Sequence, residues 1–125
     1  MGLFDGLMGN ASKITVGEIE KDYEELFSLS EIVEGGYKLV RDLIIFTNKR
    51  LILVDKQGLT GKKTEYVSIP YKSITHYTVE TAGHFDLDAE LKIYISGRDL
   101  PVEKQFNKNT NIYEIQGMLI DHIVG

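Results

Sequence analysis

The sequence predicts a mainly β fold, a sandwich or barrel carrying a helix at each end, and three observations lead there. The first is the stretch Arg41 to Asp55, where two apolar, β-branched runs, Leu43 to Thr47 and Leu51 to Val54, flank the polar tip Asn48-Lys49-Arg50. Runs of that length joined by so short a tip make a β-hairpin, and the tip projects two cations from an apolar sheet. The second is a change of period near residue 31, after which short apolar runs alternate with turn residues to the end of the β region. The third is a pair of capped, amphipathic stretches, one before the β region and one after it.

In chain order, Thr15-Val16-Gly17-Glu18 fits a capping box, in which a hydroxyl and a carboxylate satisfy two orphan amides. The helix after it places Val16, Ile19, Tyr23, Leu26 and Phe27 on one stripe for the core, with Glu20, Lys21, Glu24 and Glu25 largely in solvent. Strands are expected near 32–40, 42–47, 50–55, 64–70, 74–80, 89–96 and 101–106. Their separators have turn chemistry: Gly35-Gly36, Asn48, Gly58 to Gly61, Gly83, and Gly97 with Arg98 and Asp99. Pro70 and Pro101 stand where a strand ends or begins, as residues without an amide donor must. Asn111-Ile112-Tyr113-Glu114 then caps a last helix with Ile112, Ile115, Leu119 and Ile123 on its apolar stripe. We divide the chain into an N-terminal helical extension, 1–30, and a β domain, 31–125, within one compact unit.

Composition narrows the function. A chain of 125 residues can bury a core without staples, and the absence of Cys removes disulfides, thiolate metal sites and Cys nucleophiles together. No run approaches the ~20 apolar residues of a membrane span, and the N-terminus lacks the cationic region of a signal peptide. A cytoplasmic location is the expectation. A net charge of -5 disfavours nucleic acid as a partner.

Residues 1–14 stand apart. Leu3, Phe4, Leu7 and Met8 share one face of a short helix, which Gly2, Gly6 and Gly9 weaken. That face can dock on its own domain or against a neighbouring subunit. Membrane insertion is disfavoured, because the segment has no cations to meet anionic lipid. Met1-Gly2 does not open a myristoylation signal, since Gly6 stands where Ser or Thr is required.

Catalytic and cofactor motifs fail on inspection. Gly58 to Thr64 resembles the end of a phosphate-binding loop, but Lys56 stands where its first Gly should be and Lys63 fills the Ser/Thr position. No Ser or Thr sits at a strand-to-helix elbow. His84-Phe85-Asp86-Leu87-Asp88-Ala89-Glu90 alternates, which on a strand lines up an imidazole and three carboxylates in steps of about 7 Å. A hard cation prefers a tight wrapping loop, so the expectation is a solvated acidic face or an acidic contact surface, with no metal and no cofactor. His76 and His122 have no evident partner. Charge is uneven elsewhere too: Lys49, Arg50, Lys56, Lys62 and Lys63 face one acid, Asp55, a local balance of +4. Ordinary surface scatter is one reading of that cluster; the sharper one is a ligand or a partner.

From Glu31 to the last helix the chain resembles the bacterial pleckstrin-homology-like domains. The matching segments are Tyr37 to Asp42, Phe46 to Ile52, Asp55 to Gly58, Ser68 to Ile74 and Glu80 to Gly83. The resemblance implies two roughly orthogonal antiparallel sheets, seven strands in all, closed at one end by the C-terminal helix. It also implies a non-catalytic module that assembles into ring-like homo-oligomers. Eukaryotic phosphoinositide binders of this fold carry several Lys and Arg at the first hairpin turn. The corresponding turn here is read as Glu34-Gly35-Gly36, with one acid and no base, and their helical Trp is missing.

The sequence therefore points to a non-enzymatic, self-assembling protein-interaction module. The alternative is a peripheral binder of anionic lipid or a phosphorylated ligand through Lys49, Arg50, Lys62 and Lys63. The candidate oligomer contacts are Leu3, Phe4, Leu7 and Met8, together with the acids Asp86, Asp88 and Glu90 facing those cations on the next copy.

Overall fold

Thr15 starts the first helix as its sequence suggests. Its hydroxyl oxygen accepts from the Glu18 amide at 3.2 Å, while its proton goes to the Glu18 carboxylate at 3.0 Å. Helix α1 (Val16–Asp22) follows, and the Tyr23 amide closes it on the Ile19 carbonyl at 2.9 Å. The stripe read as one helix then tightens into a 3-10 turn, Glu24–Leu26. A computed structural model of the chain describes residues 13–39, 42–57, 63–81, 89–106 and 110–125.

The described residues fall into two compact units, 13–70 and 71–125. The first holds an antiparallel sheet in the order β1 (Lys13–Ile14), β2 (Val33–Lys38), β3 (Leu43–Thr47), β4 (Arg50–Gln57) and β5 (Lys63–Pro70). Seven strands were expected; the eighth is the two-residue β1, too short to show a period. Within this unit β1 pairs with β2 and α1 buries Ile19 on the sheet, so residues on both sides of position 30 pack together.

Phe46 pairs with Leu51, so the hairpin turns through Asn48 and Lys49. One face of the sheet presents Leu43, Ile45, Ile52 and Val54 to Ile19, with Tyr23, Leu26 and Phe27 packed around them. The alternate residues Ile44, Phe46, Leu51 and Leu53 are buried as well. A strand buried on both faces has no polar side to show, which accounts for the unbroken apolar run Leu43 to Phe46.

Gly35-Gly36 is not a turn. It lies within β2, beside a register shift between Val33 and Gly35. A Cβ on Gly36 would stand 2.6 Å from Ile19 Cδ1, so glycine is what lets α1 lie this close to the sheet. The turn out of β2 comes later, where the Leu39 amide donates to the Asp42 carbonyl at 2.7 Å.

The second unit opens with a 3-10 turn, Tyr71–Ser73, and forms an antiparallel sheet of β6 (Ile74–Glu80), β7 (Ala89–Ile95) and β8 (Val102–Phe106), followed by α2 (Ile112–Val124). Asn111 caps α2, its side-chain oxygen accepting from the Tyr113 and Glu114 amides at 3.1 and 3.2 Å. Ile112, Ile115 and Leu119 are buried, and Tyr77 on β6 donates its hydroxyl to Gln116 at 2.8 Å. Both histidines described here have ring partners: His76 stacks on Tyr94 and His122 on Tyr71, each at 4.2 Å. Among the described residues, no helix is long and apolar enough to cross a membrane.

Candidate interaction surface

The tip of the β3–β4 hairpin is organised by polar side chains. Thr47 is fully buried; its hydroxyl oxygen accepts from the Lys49 and Arg50 amides at 3.1 Å each and its proton goes to Glu31 at 2.7 Å. Arg50 grips the Glu31 carboxylate with two nitrogens, Nε at 2.8 Å and Nη2 at 2.9 Å. Its remaining directions serve Ser68 Oγ at 2.6 Å and the Leu26 carbonyl at 2.7 Å. A planar guanidinium suits this fork, where a lysine would supply one charge point.

The pairing holds the Glu31 carboxyl at about 2, well below its usual 4.5. The Arg50 hydrogen bonds are the chief cause, opposed by burial and reinforced by Thr47 and the Ser28 amide. Asn48 completes the arrangement. Its amide donates to the Ile32 carbonyl at 2.9 Å, and its side-chain oxygen accepts from the Ile32 amide at 2.7 Å.

These bonds hold residues 28–32 against the hairpin, and the held segment displays apolar side chains. Leu29 is 108% exposed and Ile32 62%. Next to Leu29 lies a cleft of about 320 Å³ lined by Glu20, Glu24, Phe27 and Val33. Two bare aliphatic side chains on a rigid, polar-braced segment are the most distinctive surface feature of this unit.

Among the described residues, the sequence-predicted basic side chains do not converge. Lys49 is exposed at the tip, whereas Arg50 turns inward and is occupied by Glu31, Ser68 and Leu26. Lys63 is exposed where β5 begins, opposite Gln57, while Arg50 faces Pro70 at the far end of the same ladder. Seven strand positions separate the two ends, about 23 Å, more than twice the Debye length at physiological salt. The described cations that adjoin in sequence thus divide, with Lys49 and Arg50 at one end and Lys56 and Lys63 at the other. Glu90 lies on β7 opposite Glu80 and 4.0 Å from Lys92. Leu3, Phe4, Leu7, Met8, Lys62, Asp86 and Asp88 lie outside the described residues. The reading missed Glu31, Thr47, Leu29 and Ile32. Asn48 after a strand was the one local signal, since its side chain favours turn bonding.

The same architecture is found in solved structures. A pleckstrin homology domain from Shewanella amazonensis SB2B superimposes with a TM-score of 0.85 at 48% identity, over 99% of this chain and all of that one. A DUF1696 family protein with a pleckstrin-homology domain, from Shewanella loihica PV-4, gives 0.81 at 44% identity, over 90% and 97%. The uncharacterized protein YjqA of Bacillus subtilis (strain 168) is 60% identical over 120 residues, covering 95% of this chain and 96% of that one. The family model described as bacterial PH domain matches residues 2–123, and the chain belongs to that family.

Proposed function

We propose that the chain is a non-catalytic interaction module that assembles with copies of itself into a ring-like homo-oligomer. The observation that carries this reading is the braced segment holding Leu29 and Ile32 in solvent. A segment already fixed in place loses little conformational entropy on docking, so burying its side chains yields most of its free energy to association. Each contributes on the order of 1–2 kcal/mol when fully covered. The arrangement also argues against the alternative, anionic lipid or a phosphorylated ligand. Arg50 is already paired, and Lys49 and Lys63 stand at opposite ends of their strands. The unassigned N-terminal stripe of Leu3, Phe4, Leu7 and Met8 is a further contact on this reading.

Light scattering coupled to size exclusion tests it. The full chain is expected to elute with the mass of several copies, and Leu29→Asp with Ile32→Asp to fall toward the mass of one, with unchanged β circular dichroism. A wild-type monomer would sink self-assembly. Pelleting with phosphatidylserine vesicles at physiological salt, lost on Lys62→Glu with Lys63→Glu, would move the reading to lipid.

A further inference from the structure

Tyr23 follows α1, and Tyr66 stands on β5 opposite Val54, on the face of the sheet that carries the helix. Their rings meet edge to face, centroids 6.5 Å apart and planes at 77°. Around them opens a notch of about 460 Å³, lined also by Lys21, Asp22, Glu24 and Glu25. Three carboxylates against one ammonium leave its wall at net -2. Tyr66 is 47% exposed, and an edge-to-face pair leaves ring surface that the partner ring does not cover.

The negative face of an aromatic ring beside carboxylates is the environment an ammonium or guanidinium seeks. Burial, then Tyr66 and Asp22, raise the Tyr23 phenol above its ordinary pKa.

Lys49 has the complementary form. It is an exposed cation at the apex of a two-residue turn whose backbone is held by Thr47 and by Ile32. Tyr66 of its own chain lies beyond its reach, since that residue pairs four positions along β4 from Arg50, about 13 Å away, more than one lysine side chain spans.

We propose that the Tyr23–Tyr66 notch receives a cationic side chain from a second copy, the ammonium of Lys49, as the acceptor half of a head-to-tail contact. The inference rests on the self-assembly reading above and names a pair of surfaces for it. Donor and acceptor are different places on the chain, so repetition of the contact closes a ring or runs on as a filament. Copies of net charge -5 repel one another, and a cation seated among acids offsets part of that repulsion while setting the register.

Charge reversal with light scattering on the full chain tests the pairing. Lys49→Glu alone, and Glu24→Lys with Glu25→Lys alone, are each expected to lower the particle mass at low salt. The three substitutions together restore it. Tyr66→Ala weakens assembly about fivefold, while Tyr66→Phe, which keeps the ring, leaves it unchanged. If Lys49→Glu assembles like the parent while Leu29→Asp with Ile32→Asp does not, self-assembly stands and this contact is wrong. If the two reversals impair assembly and their combination does not restore it, Lys49 does not meet this notch. A parent chain that is monomeric overturns both.

Discussion

Arg50→Ala is expected to lower the unfolding free energy by about 3 kcal/mol, because it strands the Glu31 carboxylate, whose side chain is 2% exposed, beside a buried Thr47. Arg50→Lys keeps the charge and loses the fork, so it should fall between the two. The loss depends on pH in a definite direction. Glu31 has a carboxyl depressed to about 2 in the folded chain against 4.5 ordinarily, so its contribution is complete above pH 4.5. It fades as the pH drops toward 2, and is bounded at about 3 kcal/mol. The gap between parent and Arg50→Ala should therefore narrow from pH 5 downward. Urea unfolding at several pH values between 3 and 7 measures it, and a gap independent of pH would remove the ion pair as its cause.

Ile19→Ala should cost a similar amount, about 3 kcal/mol, by emptying the space that α1 fills above β2. The partner substitution makes the test specific. Gly36→Ala in the parent forces its new methyl toward Ile19 Cδ1, at 2.6 Å, and is destabilising. In the Ile19→Ala background the same methyl enters the vacated space, so the two losses should add to less than their sum. Strict additivity would mean that the two residues do not share that space. Because α1 leads into Tyr23, amides of residues 16–26 should exchange faster in Ile19→Ala even where the chain remains folded.

Most of the fold was legible because its signals are local. Seven strands begin and end within about two residues of their expected places, and both helix caps use the residues their sequences suggested. What was not legible depends on residues far apart in the chain. Gly35-Gly36 looks like a turn to any local reading; the reason for Gly36 is Ile19, on a helix seventeen residues earlier. Arg50 reads as a surface cation beside an exposed tip, and only folding brings Glu31, nineteen residues upstream, into its grip. A count of charges along 49–63 finds one cluster, but an extended strand carries its ends apart. For the candidate surface the deficit was larger. Leu29 lies between two serines, off the helical stripe, and nothing in its neighbours says that it will be held out in solvent.

The first sheet ends on β5, eight residues long and last in the strand order. A terminal strand of that length is the kind of template on which amyloid grows, through backbone groups that an incoming strand can match. Here its exposed positions include Lys63, Glu65 and Pro70. Stacking identical strands in parallel register would set each lysine over a lysine and each glutamate over a glutamate, and the proline has no amide to offer. Fibrillar growth along this edge is therefore penalised at both ends of the strand.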